Sequence, residues 1–270
     1  MNTFSTAAAG AGSEIFKNPI MKKFDRIQEK SSGGVTTYKG VALKCLFFVV
    51  AVMAGAALAL LLHSLTSDSF AFYEGTALTC AETAAAVAAA GIFIIAPLVA
   101  LIAKCTIPVC GTLFCASVGY IYAFLGSVLT EVRGQIFLAL IITVALFAAL
   151  MLVYVSGRIN INKKFSSVIR VLFATLVIST LLLCAAYFIP GLNQAAVFVM
   201  SNPLVSIGLS VLGIVLVSLF LLNDFKAVTE AVEYKLPKKY EWVGAFGIVF
   251  SVIWLFIAVF GFITRVQDIR

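Results

Sequence analysis

The sequence predicts an all-α integral membrane protein, a bundle of seven transmembrane helices, and three observations predict it. Hydrophobic residues fill 62% of the 270 positions and charged residues 11%, against roughly 45–50% and 25% in soluble domains. The apolar residues gather in seven continuous runs, 42–63, 79–103, 106–129, 134–156, 168–190, 203–223 and 242–264. Each run supplies the about 20 residues a helix needs to cross the hydrocarbon core. Lys and Arg, lastly, fall almost wholly into alternate connections between those runs.

Each element can be justified in order. Residues 1–40 form an N-terminal tail and 41–270 the transmembrane domain. Positions 1–14 are rich in Ala, Gly, Ser and Thr, too poor in large apolar groups to pack, and are expected to be disordered. From Ile15 to Lys30, Phe16, Ile20, Phe24 and Ile27 recur at helical spacing among Lys17, Lys22, Lys23, Arg26 and Lys30. That pattern suits a helix lying on anionic lipid, or a solvated basic helix. A cleavable signal places its apolar core within about the first 15–30 residues, whereas about forty mostly polar residues precede the first run here, so that run is expected to stay as an anchor. The seven runs then cross as helices, because a helix satisfies its own backbone groups in lipid. They are too long and continuous for barrel strands, which alternate over about ten residues.

Stepping across the spans places sixteen of the nineteen Lys and Arg residues on the N-terminal side. Only Arg133, Arg265 and Arg270 fall on the other. Basic residues collect in the cytoplasm, so the expected placement has the N-terminus inside and the C-terminus outside. The same asymmetry accounts for the net charge of +7 without nucleic acid as a partner, and the lipid bilayer is the partner it implies. Spans one to three and four to six run in opposite senses, which permits inverted halves but does not demonstrate them.

Few residues can carry chemistry. The six cysteines include no C-x-x-C pair, and Cys105, Cys110 and Cys115 are each rotated by about 140° from the last on a helix. They suit small buried hydrophobes rather than a metal or cofactor site. Ionisable groups inside a bilayer are functional candidates because they cost several kcal/mol to insert. Lys44, His63, Glu82, Lys104 and Arg170 lie within about a turn of a span end, where long side chains can reach the headgroups. That leaves no charged relay for a pump. Asp224 closes the sixth run on an otherwise uncharged helix, with burial and a cation such as Lys104 as its competing influences. Asp224, Lys104 and Glu82 are the ion-permeation or pH-sensing candidates. The helical pattern continues past Asp224 to Pro237, with Lys226 and Glu230 at i,i+4 spacing.

Gly111, Cys115, Gly119 and Ala123 fall four apart in the third span, and with Gly244 and Gly247 in the seventh they allow close helix approach. Enzyme readings are weak. Gly208-Leu209-Ser210 with His63 as base would make a serine nucleophile, but Ser210 lies about 10 Å beneath the external surface by helical rise and His63 at the rim. Aspartyl proteolysis needs two intramembrane carboxylates, and 242–264 contains neither an acid nor a lysine for retinal.

The run Asn223-Asp224-Phe225, then Leu236-Pro237-Lys238-Lys239, Trp242-Val-Gly-Ala-Phe-Gly and Val252-Ile-Trp254-Leu, resembles the Bax inhibitor-1/YccA-like membrane proteins, the TMBIM superfamily. Asn18-Pro19-Ile20 and Thr37-Tyr38-Lys-Gly-Val-Ala-Leu-Lys44 resemble its bacterial branch, which implies the bacterial cytoplasmic membrane. The resemblance implies six helices in two three-helix layers around a central seventh. It also implies a pH-sensitive calcium leak sensed by two aspartates, or an interaction module that restrains another membrane protein such as an ATP-dependent membrane protease. Asp224 matches the first aspartate, while the second aligns near Phe250, and a glutamate common in the family's third helix aligns with Val118. Two close carboxylates titrate as a coupled pair. A lone Asp224 lacks that coupling, so weak or absent pH gating near neutrality is expected, with Phe246, Phe250 and Trp254 filling the bundle centre.

Overall fold

The computed structural model describes residues 34–67, 80–102, 106–157 and 202–267, together with scattered helical positions between 167 and 197. Six long helices account for nearly all of it: α1 (Tyr38–Ser67), α2 (Cys80–Ile102), α3 (Ile107–Val128), α4 (Thr130–Val155), α5 (Pro203–Glu233) and α6 (Tyr240–Gln267). All six contain stretches long and apolar enough to cross a membrane. They correspond to the first four, the sixth and the seventh apolar runs of the sequence. The fifth run, 168–190, lies largely outside the described residues, as do the basic N-terminal helix at Ile15–Lys30, Lys104 and Arg170.

Local chemistry sets the helix ends. Asn202 caps α5, its side chain accepting from the Val205 N–H at 3.4 Å, and Pro203 follows in the first turn, where its missing N–H costs nothing. At the other end of α5, Lys235 takes φ +49°. The Leu236 N–H then reaches the Ala231 carbonyl and the Lys235 N–H the Val232 carbonyl. These are the two hydrogen bonds of a Schellman closure, made with a lysine where glycine is usual. Pro237 prevents the helix from resuming. α5 therefore runs without a break through Asp224, and the Lys226–Glu230 pair closes at 3.6 Å on it.

The tail folds back onto this turn. Val35 bridges Pro237 in antiparallel fashion, Thr36 N–H donates to the Leu236 carbonyl at 2.8 Å, and Lys238 N–H donates to the Gly34 carbonyl at 3.0 Å. The starts of α1 and α6 thus share one end of the bundle, called here the tail end. Tyr154 near the close of α4 donates to Thr229 of α5 there, at 2.8 Å. Arg265 of α6 meets Ser210 of α5 at the far end. α4 therefore finishes, and α5 begins, at opposite ends.

Packing divides the helices into two groups with α6 between them. One apolar cluster joins α1, α2 and α3 to α6 through Phe48, Phe114, Cys115, Val118, Phe246 and Val249. Another joins α4 and α5 to α6 through Ala139, Val217, Leu221, Leu255 and Val259. The last helix contacts α1, α3, α4 and α5, the central position that the family resemblance implies. Close approach depends on the small residues. A Cβ on Gly119 would collide with the Val52 carbonyl, and one on Gly55 with the Ala116 carbonyl, so α1 and α3 meet backbone to backbone. Gly244 likewise admits Val228.

Candidate functional site

Asp224 lies well inside α5 and not at its end. The apolar run ends at residue 223, but the helix continues nine residues beyond Asp224, which is about 14 Å at 1.5 Å per residue. Its carboxylate accepts from the Ser251 hydroxyl. Ser251 lies eleven residues into the central helix, about 16 Å from its start. α5 continues past Asp224, as the helical pattern to Pro237 predicts, to reach the Lys235 turn, and the acid meets α6 near the middle of that helix. Among the described residues no cation lies within ion-pair distance of it.

The local sequence makes this contact. Gly247 faces the carboxylate, and a Cβ there would come within 3.7 Å of Oδ1. Ser251 follows one turn later with no exposure at all. The group opposite Asp224 is therefore a hydroxyl, one position past Phe250, where the second aspartate of the family pattern aligns. Phe250 itself turns to aromatic packing, with Phe114 at 5.5 Å, Phe246 at 5.8 Å and Trp254 at 6.1 Å between ring centres. These rings pack together at the central helix, and beside them the half-buried Asp224 and the fully buried Ser251 form a polar contact.

The other candidates are not brought to this point. Glu82 lies at the far end, in the first turn of α2, paired with His63 of α1 at 2.9 Å. Lys104 lies outside the described residues. Ser210 and His63 form no catalytic pair. The Ser210 hydroxyl donates to the Ser206 carbonyl and receives Arg265, while His63 Nδ1 faces Glu82.

A further acid, Glu241, makes more interactions than any of these, and no sequence pattern singles it out. Its side chain is 1% exposed at the tail end of α6 and pairs with Lys44 of α1. It accepts from the Thr37 N–H at 3.1 Å and from the Thr37 hydroxyl at 3.2 Å. Lys44 also lies 5.2 Å from the centre of the Trp242 ring, and the absence of a side chain at Gly40 leaves room for the carboxylate. By position in the sequence Lys44 is only an interface anchor. The one signal pointing further is its place on the Thr37-to-Lys44 segment, in the same resemblance as the residues around Trp242, and pairing across nearly 200 residues has no local signature.

Long helices with apolar outer faces and a ring-filled centre define a polytopic α-helical membrane protein. Within that class, the family described as Bax inhibitor 1 like matches residues 17–268, and the chain belongs to it. No curated protein and no solved structure matches the chain.

Proposed function

We propose that this protein is a non-enzymatic cation leak pathway of the bacterial cytoplasmic membrane, with its tail in the cytoplasm and calcium as the cation. The observation that supports this reading is the Asp224–Ser251 contact. A carboxylate inside a bilayer-spanning bundle costs several kcal/mol to insert, and such groups characteristically mark ion pathways, while its oxygens suit a hard cation. The aromatic packing of Phe114, Phe246 and Phe250 beside it corresponds to a closed state.

Reconstitution tests this. In liposomes loaded with a calcium dye, the full chain is expected to pass calcium, and Asp224→Asn is expected to reduce the rate at least about fivefold without changing protein incorporation. Equal rates in both, or no flux above empty liposomes, overturn the reading. Absence of flux together with co-purification of an ATP-dependent membrane protease would favour the alternative of an interaction module, for which the closed aromatic centre is the supporting observation.

A further inference from the structure

The clasp between the tail and the α5–α6 turn gathers charge as well as backbone. Thr36 and Leu236 are buried there, and the Thr36 hydroxyl donates to the Pro237 carbonyl at 3.0 Å. With those groups turned inward, Lys39 of α1, Lys235 at the close of α5, and Lys238 and Lys239 before α6 stand exposed around one turn. The Lys238 stem lies along the tail, its Cδ 3.7 Å from where a Cβ on Gly34 would stand. Acids do not balance these lysines. Among the described residues of this end, Glu241 pairs with Lys44 and Glu230 with Lys226, which leaves Glu233. The other segments that the sequence places on this side offer no counterpart, because residues 1–33 carry five basic residues against three acids and 158–170 carry four and none.

Two further observations point to a ligand at the membrane surface. Lys235 keeps φ +49° where glycine is usual, and backbone strain retained at a non-glycine residue clusters at ligand-binding and switch positions. Exposed rings stand at the same level: Tyr38 is 55% and Tyr234 51% exposed, and Lys239 Nζ lies 5.9 Å from the centre of the Tyr240 ring. Aromatic residues and lysines side by side are characteristic of the headgroup layer. We propose that this surface binds the phosphate-bearing headgroup of an anionic phospholipid, held by Lys235, Lys238 and Lys239 with Lys39 at its edge. A lysine offers three donors on a flexible stem, which suits a phosphodiester approached from several directions, and each one near an anionic surface is worth roughly fivefold in binding. The bound lipid ties the tail and the α5 turn to the start of α6. The site is independent of the calcium pathway proposed above and of which face of the membrane the tail occupies.

The test uses the full-length chain carrying Trp254→Phe, which leaves Trp242, at the tail end, as the one tryptophan. It is reconstituted in phosphatidylcholine with increasing brominated phosphatidylglycerol, and quenching of Trp242 gives the relative affinity of the two lipids. Phosphatidylglycerol is expected to be preferred at least about tenfold, and Lys235→Gln/Lys238→Gln/Lys239→Gln to bring the preference below about twofold. The corresponding triple arginine variant is expected to restore it. A preference below about twofold in the parent, or one unchanged in the glutamine variant, overturns the proposal. Loss of the preference on adding inorganic phosphate assigns the surface to a free anion and overturns it too. Should the glutamine variant not fold, salt decides on the unaltered lysines. Collapse of the preference between about 0.1 and 1 M sodium chloride, where the Debye length falls from about 10 to 3 Å, supports the lysine surface, and a salt-insensitive preference overturns it.

Discussion

The best-connected acid among the described residues is Glu241, and its pairing with Lys44 has a measurable consequence. Glu241 is 1% exposed and Lys44 14%, so removing one partner leaves a charge in a poorly solvated place, at a cost of about 3–5 kcal/mol. Lys44→Met is expected to lower thermal stability in detergent by that amount. The double variant Lys44→Met/Glu241→Gln is expected to recover a large part of the loss, because desolvation rather than attraction dominates a buried pair. Equal melting temperatures for the two variants would mean that Glu241 is held by Thr37 alone. Asp224 differs in kind. Its partner is the Ser251 hydroxyl, a neutral group, which leaves the carboxylate's charge uncompensated among the described residues. On the proposed reading, that contrast separates an acid that holds the bundle's end together from one that serves the cation.

At the level of elements, glycine divides into two classes that composition alone does not separate. Gly119 lies against the Val52 backbone, while Gly134 and Gly208 have nothing among the described residues within 4 Å of where a Cβ would stand. Gly119→Val is therefore expected to cost at least about 2 kcal/mol through overpacking. Gly134→Ala is expected to be neutral or stabilising by up to about 1 kcal/mol, because alanine is the better helix former. Melting curves of both variants check the pair. The Schellman closure of α5 gives an opposite case. Lys235 holds φ +49°, a conformation that costs an L-residue roughly 1–2 kcal/mol, so Lys235→Gly is expected to raise stability by about 1 kcal/mol. A lowered melting temperature would show that the lysine side chain outweighs the strain.

For the whole molecule, the bridge between Val35 and Pro237 places the starts of α1 and α6 together, and α6 then runs away from the tail. Single cysteines introduced at Lys39 and Arg265 in a cysteine-free background are thus expected to label from opposite faces of the membrane. Labelling of both from one face would break this arrangement and with it the cytoplasmic assignment of the tail. The central role of α6 follows from its burial on several sides. Ala245, Val249 and Ile253 pack with the α1–α3 group and Leu255, Val259 and Ile263 with the α4–α5 group. A helix apolar all round is expected at such a position.

Composition and run length are enough to make this chain a bundle of membrane helices, because no other structure satisfies backbone groups across about 20 apolar residues in lipid. Periodicity also locates the stripe of Gly111, Cys115 and Gly119 and the aromatic filling of the last helix, since both are local patterns with a fixed helical repeat. The contact of Asp224 with Ser251 and the joining of Lys44 to Glu241 emerge only once the helices are packed. Each depends on how far one helix slides along another, and that register is set by glycine contacts and turn closures whose partners lie tens to hundreds of residues away.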